Sequence, residues 1–159
     1  GALPRDEVLQ AIQERDLIFE VMTHPDRLVE AAKGLERHAD LMVVLEHTGW
    51  PRNDSDEERA LWRKGLDAMA GLGTNVVCKL SGLAMPLGSM TVEAMTPWIE
   101  YAIEVFGVDR CFFASNFPVD GMHGTLGQLW GAYSSITASL STDQREKLFA
   151  ANAERTSRC

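Results

Sequence analysis

Residues that can donate, accept or exchange protons recur at the ends of four short apolar segments of the sequence. The set comprises three carboxylic acids, an imidazole, an ammonium group, a hydroxyl and an amide: Glu20, Glu46, Asp120, His47, Lys79, Ser81 and Asn116. Such groups transfer protons and hold polar ligands by hydrogen bonds. Their recurrence at four segment ends exceeds what the polarity of loops requires, and it indicates one shared ligand site.

The apolar segments have the length of strands and contain the β-branched or aromatic residues that strands favour. Their composition and the flanking turn residues predict strands over 17–22, 41–46, 75–80 and 110–115. Amphipathic periodicity predicts helices in the stretches around them, over 4–15, 27–38, 57–72, 91–106, 126–139 and 142–152. The order is one helix followed by four consecutive β–α units.

Strands that alternate with helices form parallel sheets with right-handed crossovers. We therefore predict an α/β fold of four parallel βα units in a single domain, residues 1–159. Two architectures fit: an open doubly wound sheet, or half of a TIM (β/α)₈ barrel, whose whole is typically about 250 residues. Both place ligands at the C-terminal ends of the strands, where the polar residues lie.

Side-chain alternation predicts which of these residues point the same way, because positions two apart share a face of a strand. The predicted inward groups are Val43, Leu45 and His47; Val77, Lys79 and Ser81; and Phe112, Ala114 and Asn116. If these faces line a barrel, the imidazole, the lysine and the amide converge on one mouth.

The charge and the cysteine content of the chain indicate which classes of partner it can bind. The net charge of −8 repels nucleic acid and anionic membranes, and no apolar run approaches the ~20 residues that span a bilayer. The three cysteines, Cys78, Cys111 and Cys159, are too few and odd in number for a disulfide framework. Free thiols of this kind indicate a reducing compartment, so we expect a cytoplasmic protein that acts on a small molecule.

Three motifs in order resemble the closing strands of a known family. They are L-E-H-T-G-W-P (45–51), V-C-K-L-S-G (77–82) and D-R-C-F-F-A-S-N-F-P-V-D (109–120), and the tail L-F-A-A-N-A-E-R (148–155) resembles the last helix. The family is that of the amidohydrolase-related TIM-barrel hydrolases, which includes sugar-acid lactonases and 2-pyrone-4,6-dicarboxylate hydrolases. The resemblance covers the C-terminal half of such a barrel.

The resemblance implies hydrolysis of a lactone or ester of a small carboxylated substrate. His47 matches the family histidine that polarises the substrate carbonyl or, in metal-binding relatives, ligates a divalent ion such as zinc. Lys79 matches the K-x-S-G lysine, and Asn116 stands where many relatives have an aspartate that activates water. An amide is not a usable base, so Asp120 is the expected carboxylate. The family's early H-x-H motif does not occur in this sequence.

Several of these residues have a possible structural role as well as a functional one. Glu20 either pairs with Lys79 or lines the substrate site together with Ser81, and Trp50 either walls a pocket or covers the barrel rim. Whether a divalent metal binds is left open. Half a barrel exposes two sheet edges, so we expect a homodimer or pairing with an N-terminal half-barrel. The alternatives to a hydrolase are a catalytically incomplete half-barrel and a small-molecule binding module.

Overall fold

The structure is a computed structural model that describes residues 3–157. Four strands run in parallel: β1 (Phe19–Val21), β2 (Val43–Leu45), β3 (Val76–Leu80) and β4 (Cys111–Phe113). The helices are α1 (Asp6–Glu14), α2 (Pro25–Leu35), α3 (Asp56–Ala70), α4 (Ala84–Leu87), α5 (Val92–Phe106), α6 (Leu126–Ile136), α7 (Thr142–Glu146) and α8 (Asn152–Ser157). A π-helical turn, Lys147–Ala151, joins α7 to α8. The predicted elements are confirmed, with shorter strands and the additional helix α4.

The order of the strands in the sheet decides between the two architectures. The four strands pair as β1-β2-β3-β4, in the order of the chain. Their register aligns Val21 with Leu45, Leu45 with Cys78, and Cys78 with Cys111. A doubly wound sheet reverses its order at a switch point, whereas a barrel adds each strand to the same side. The fold is therefore half of a (β/α)₈ barrel, as one of the two alternatives predicted.

The two faces of the sheet bury different side chains. The outer face packs against the helices in the main core, and the inner face carries a small apolar cluster of Val44, Val77 and Phe112. The prediction that Val43 and Leu45 lie on the inward face with His47 is wrong, because both pack in the main core. The ladder pairs Val44, not Val43, with Val77, and His47 reaches the inner side only because the strand has ended.

Helix packing fixes the outer layer around the sheet. Ser55 and Thr91 accept hydrogen bonds from the first turns of α3 and α5 and so define where these helices begin. Gly65 on α3 lies against Leu28 of α2, so closely that an added Cβ would be 2.6 Å from the leucine Cβ. The small residue lets the two helices approach, and their strong contact fixes the loop between β2 and α3.

The thiols behave as the sequence predicts within the described residues. Cys78 and Cys111 are buried without a disulfide, and burial raises the pKa of both, to about 12 for Cys111. They are small apolar core groups and not nucleophiles. Cys159 lies outside the described residues. None of the helices formed by residues 3–157 is long and apolar enough to cross a bilayer.

The outer edges of the sheet are open. Over residues 3–157, β1 pairs only with β2, and β4 pairs only with β3. The edge strands are three residues long each, which limits the number of unpaired backbone groups that they present.

Candidate functional site

An ion cluster joins the C-terminal ends of β1, β2 and β3 on the inner side. Lys79 Nζ lies 2.5 Å from Glu46 Oε1 and 3.5 Å from Glu20 Oε1. Glu20 pairs in register with Val44, and the face of Val44 continues to Glu46. The lysine that is unusual in an apolar strand is thus neutralised by two carboxylates, as one reading of the sequence predicted.

The cluster alters the acidities of its members. Burial opposes the charge of Lys79, but the hydrogen bond and the charge of Glu46, with help from Glu20, outweigh it and raise the lysine pKa. Burial and the neighbouring Glu46 raise the pKa of Glu20, which Lys79 only partly offsets. Two carboxylates around one ammonium leave this corner of the site with excess negative charge.

A left-handed turn follows β2 and carries His47. The φ angles of His47, Thr48, Gly49 and Trp50 are 51°, 54°, 76° and 44°. This conformation costs about 1–2 kcal/mol for each residue other than glycine, and such strain persists only where the surroundings over-determine it. The turn redirects the chain at the end of a buried strand and brings the imidazole to the inner side.

Hydrogen bonds from the neighbouring strand and helix hold the turn. Thr48 Oγ1 donates to the Ser81 carbonyl oxygen and accepts from the Ser81 backbone N–H, both at 3.1 Å. The indole Nε1 of Trp62 donates to the Thr48 carbonyl oxygen at 2.6 Å. Thr48 is fully buried. The sequence analysis did not single out Thr48, although it lies within the L-E-H-T-G-W-P motif.

The imidazole of His47 packs against the end of β3. Its Nδ1 lies 3.0 Å from Ser81 Oγ and 3.7 Å from Glu46 Oε2. Gly82 has a φ of 69°, and an added Cβ there would lie 2.8 Å from both Cβ and Cγ of His47. Burial, and then the charge of Lys79, lower the pKa of His47, against the opposing effects of Asp120 and Glu20. The imidazole is therefore held in its neutral form near neutral pH.

An amide–carboxylate pair forms the β4 corner of the site. Asn116 Nδ2 donates to Asp120 Oδ1 at 2.8 Å, and Asn116 adopts a left-handed φ of 54°, which asparagine tolerates well. Asp120 is fully buried, and its Oδ2 has no hydrogen-bond partner among residues 3–157. Burial raises the pKa of Asp120 against the Asn116 hydrogen bond and the charge of His47. The electrostatic influence of Asp120 and His47 on each other joins this corner to the imidazole.

Trp50 and His24 form the β1–β2 corner. The two rings lie 4.6 Å apart between centroids, and His24 Nδ1 is 3.1 Å from the Trp50 carbonyl oxygen. The rings of Trp50 and His47 pack edge to face, with their centroids 6.2 Å apart. The structure thus gathers the seven predicted residues: Glu20, His47, Trp50, Lys79, Ser81, Asn116 and Asp120. Glu46, which the sequence also places at a strand end, belongs to the ion cluster, and the structure adds His24 as the aromatic neighbour of Trp50.

The described residues do not complete a metal site. Over residues 3–157, no three side chains of His, Cys, Asp or Glu gather as metal ligands. A catalytic zinc ion needs three protein ligands, and His47 offers one, with its Nδ1 already beside Ser81 Oγ. The described residues therefore do not by themselves supply the three ligands that such an ion needs.

The relationship to known proteins agrees with this architecture. The model of the amidohydrolase family matches residues 1–156. The chain belongs to the amidohydrolase family. An amidohydrolase from Burkholderia multivorans, solved with bound zinc, superposes with a TM-score of 0.87 at 26% identity, over 94% of this chain and 55% of that one.

The relatives of this amidohydrolase chain are longer proteins, each of which it matches over about half of their length. An uncharacterized protein of Sinorhizobium fredii is 35% identical over 142 residues, which are 89% of this chain and 47% of the relative. An L-fucono-1,5-lactonase of Burkholderia ambifaria is 27% identical over 153 residues, 93% of this chain and 52% of that enzyme. The chain spans about half the length of the relatives that it matches.

Gly82→Ala tests the contact that sets the imidazole. We expect it to destabilise the fold by about 1–3 kcal/mol more than Gly88→Ala, because the new methyl group collides with His47. Gly88 is the matched control, since its φ of 61° carries the same backbone strain and nothing lies within 4 Å of an added Cβ. Urea unfolding measures the difference. Equal losses in the two variants would refute the packing of His47 on Gly82.

Proposed function

We propose that this chain carries the imidazole half of a hydrolase active site that opens a lactone or a related ester of a small polar substrate. The observation that carries the proposal is the position of His47: its Nδ1 lies 3.0 Å from Ser81 Oγ at the shared strand ends, near Lys79 and the Asn116–Asp120 pair. Burial lowers the pKa of this imidazole, which favours its neutral form. The similarity to L-fucono-1,5-lactonases supports a lactone as the substrate class.

His47 is the proposed carbonyl-polarising group. Ser81 Oγ lies against Nδ1, so a hydroxyl that donates to Nδ1 leaves the proton on Nε2. Nε2–H then donates to the substrate carbonyl oxygen, and the bond strengthens as negative charge develops there in the tetrahedral intermediate. A neutral imidazole does this without the cost of burying a cation.

Lys79, Glu20 and Trp50 are the proposed substrate-binding groups. Lys79 donates a hydrogen bond to Glu46 and forms an ion pair with Glu20 at 3.5 Å, and its three N–H donors leave at least one available to a substrate oxygen. The exposed carboxylate of Glu20, with 55% of its side chain accessible, accepts a hydrogen bond from a substrate hydroxyl. The indole of Trp50 forms the apolar wall beside the imidazole.

The Asn116–Asp120 pair is the proposed water-activating group. The attacking water forms a bond from its oxygen to the carbonyl carbon, and its proton passes to Asp120. The ring C–O bond then breaks, and the leaving oxygen takes up that proton, so lactone and water yield the hydroxy acid. Asn116 orients the water, and Asp120, whose buried Oδ2 makes no hydrogen bond to residues 3–157, is the proposed acceptor once water reaches it.

His47→Ala tests the polarising role. We expect a loss of about 10²–10³ in kcat, the effect of removing one donor to a developing oxyanion, with the fold retained. In the unchanged chain, the rate on a panel of lactones should fall on the acid side, since protonation of His47 removes the neutral form. The lowered pKa places this loss below pH 6.5. His38→Gln, at the opposite end of β2, is the control, and full activity of His47→Ala would refute the assignment.

Exchange of the amide and the carboxylate tests the water-activating pair. Asp120→Asn removes the proton acceptor, and we expect a loss of about 10²–10⁴ in kcat. The double variant Asn116→Asp/Asp120→Asn returns a carboxylate to the pair and should recover part of the rate. Asp40→Asn, an exposed carboxylate before β2, is the control. Unchanged turnover by Asp120→Asn would exclude it as the base.

We also propose that a second half-barrel completes the site, supplied by another copy of this chain or by an N-terminal half. Two observations support this: the open edges of β1 and β4, and a length about half that of the relatives. Strand edges and the inner cluster of Val44, Val77 and Phe112 supply a surface for such pairing.

Light scattering after size-exclusion chromatography tests association of two copies. We expect a mass twice that of one chain, with a dimer fraction that rises with salt, because each copy carries a net charge of −8 and salt screens the repulsion. A monomer at all salt concentrations, without binding of a dye for exposed apolar surface, would refute pairing of either kind.

A further inference from the structure

The turn from His47 to Trp50 has four consecutive left-handed residues, of which only Gly49 adopts this conformation freely. Left-handed residues normally occur singly. A run of this length needs contacts that offset its conformational cost. Thr48 is the side chain in the run that is fully buried and also hydrogen-bonded to the end of another strand.

One hydroxyl makes both of those bonds. Thr48 Oγ1 accepts from the Ser81 N–H and donates to the Ser81 carbonyl oxygen, and thereby substitutes for a strand partner just beyond the end of β3. Ser81 in turn presents its Oγ to His47 Nδ1 at 3.0 Å. The turn that carries the imidazole and the serine that orients it are therefore fixed to each other through one side-chain oxygen.

A second bond holds the turn from the helix side. Trp62, which is buried in α3, donates from Nε1 to the Thr48 carbonyl oxygen. The residue is thus held by its side chain toward β3 and by its backbone toward α3. Thr48 is fully buried and Trp62 is 2% exposed, so neither bond is available to a substrate.

We propose that Thr48 is the positioning residue of His47: its hydroxyl couples the left-handed turn to Ser81 and so sets the direction and the protonated nitrogen of the imidazole. The inference rests on the proposed function for its catalytic consequence. The positioning of His47 by Thr48 is inferred from the hydrogen bonds alone, and it can be measured without an assay of turnover.

The test compares Thr48→Val with Thr48→Ser. Valine keeps the branched shape but has no hydroxyl, whereas serine keeps the hydroxyl and lacks the methyl group. NMR of ¹⁵N-labelled histidine reports the pKa and the tautomer of His47, and lactone kinetics report kcat and KM. Thr96→Val is the matched control, because it removes a hydroxyl that bonds to the Val92 carbonyl oxygen within α5, away from the site.

For Thr48→Val we expect the His47 pKa to rise toward that of a free histidine, since a released turn exposes the ring. We expect kcat to fall about 10- to 100-fold with a smaller change in KM, as displacement of a catalytic group produces. Thr48→Ser should keep the His47 titration and most of kcat, and Thr96→Val should keep both.

Unchanged titration and kcat in Thr48→Val, or equal losses in the valine and serine variants, would overturn the proposal. If the wild-type chain hydrolyses no lactone but the titration of His47 changes only in Thr48→Val, the positioning role stands and the proposed function fails. If Thr48→Val does not fold, Thr48→Ala removes the same hydroxyl and its two bonds to Ser81 without placing a methyl group where the oxygen was. An unaltered His47 spectrum in that variant would refute the coupling.

Discussion

Parallel pairing of four strands in chain order is the constraint on which the rest of the molecule depends. It brings the carboxyl ends of β1 to β4 to one edge, so that residues nearly a hundred positions apart, from Glu20 to Asn116, share a mouth. Each strand is short: Glu20 and Lys79 lie within the ladder, and the other polar residues of the site follow the strand ends. The loops beyond the ladder are then free to adopt conformations that strands forbid, including the left-handed turn at His47 and the left-handed Asn116.

Electrostatics at this edge are arranged around one cation. Lys79 lies between Glu46 and Glu20, and a paired buried charge of this kind costs far less than an unpaired one. The pair is also strongly directional, since it ties β3 to β2 across the inner face. Lys79 lowers the pKa of His47, while the nearby carboxylates oppose that effect. The neutral imidazole thus results from a balance between burial and opposing charges, not from a single partner.

Membership of the amidohydrolase family gives the half-barrel a natural interpretation. The chain matches about half the length of its relatives and superposes on one of them with a TM-score of 0.87. A half-barrel supplies one side of a mouth, which explains why the described residues bring His47 and His24 to the site but no complete set of metal ligands.

The sequence by itself determined the alternation of strands and helices and the polar strand ends, because both are local patterns of side-chain type. It also indicated the pairing of Lys79 with carboxylates, since a lone charge in an apolar strand needs a partner. Tertiary structure alone decided the architecture, because strand order is a long-range property. It also showed that Val43 and Leu45 lie on the outer face of the sheet and not on the inner face with His47. The end of a strand depends on its pairing with the neighbouring strand, and the alternation of side chains cannot be extended past that end. The role of Thr48 was likewise invisible, because its hydrogen bonds reach a residue more than thirty positions away.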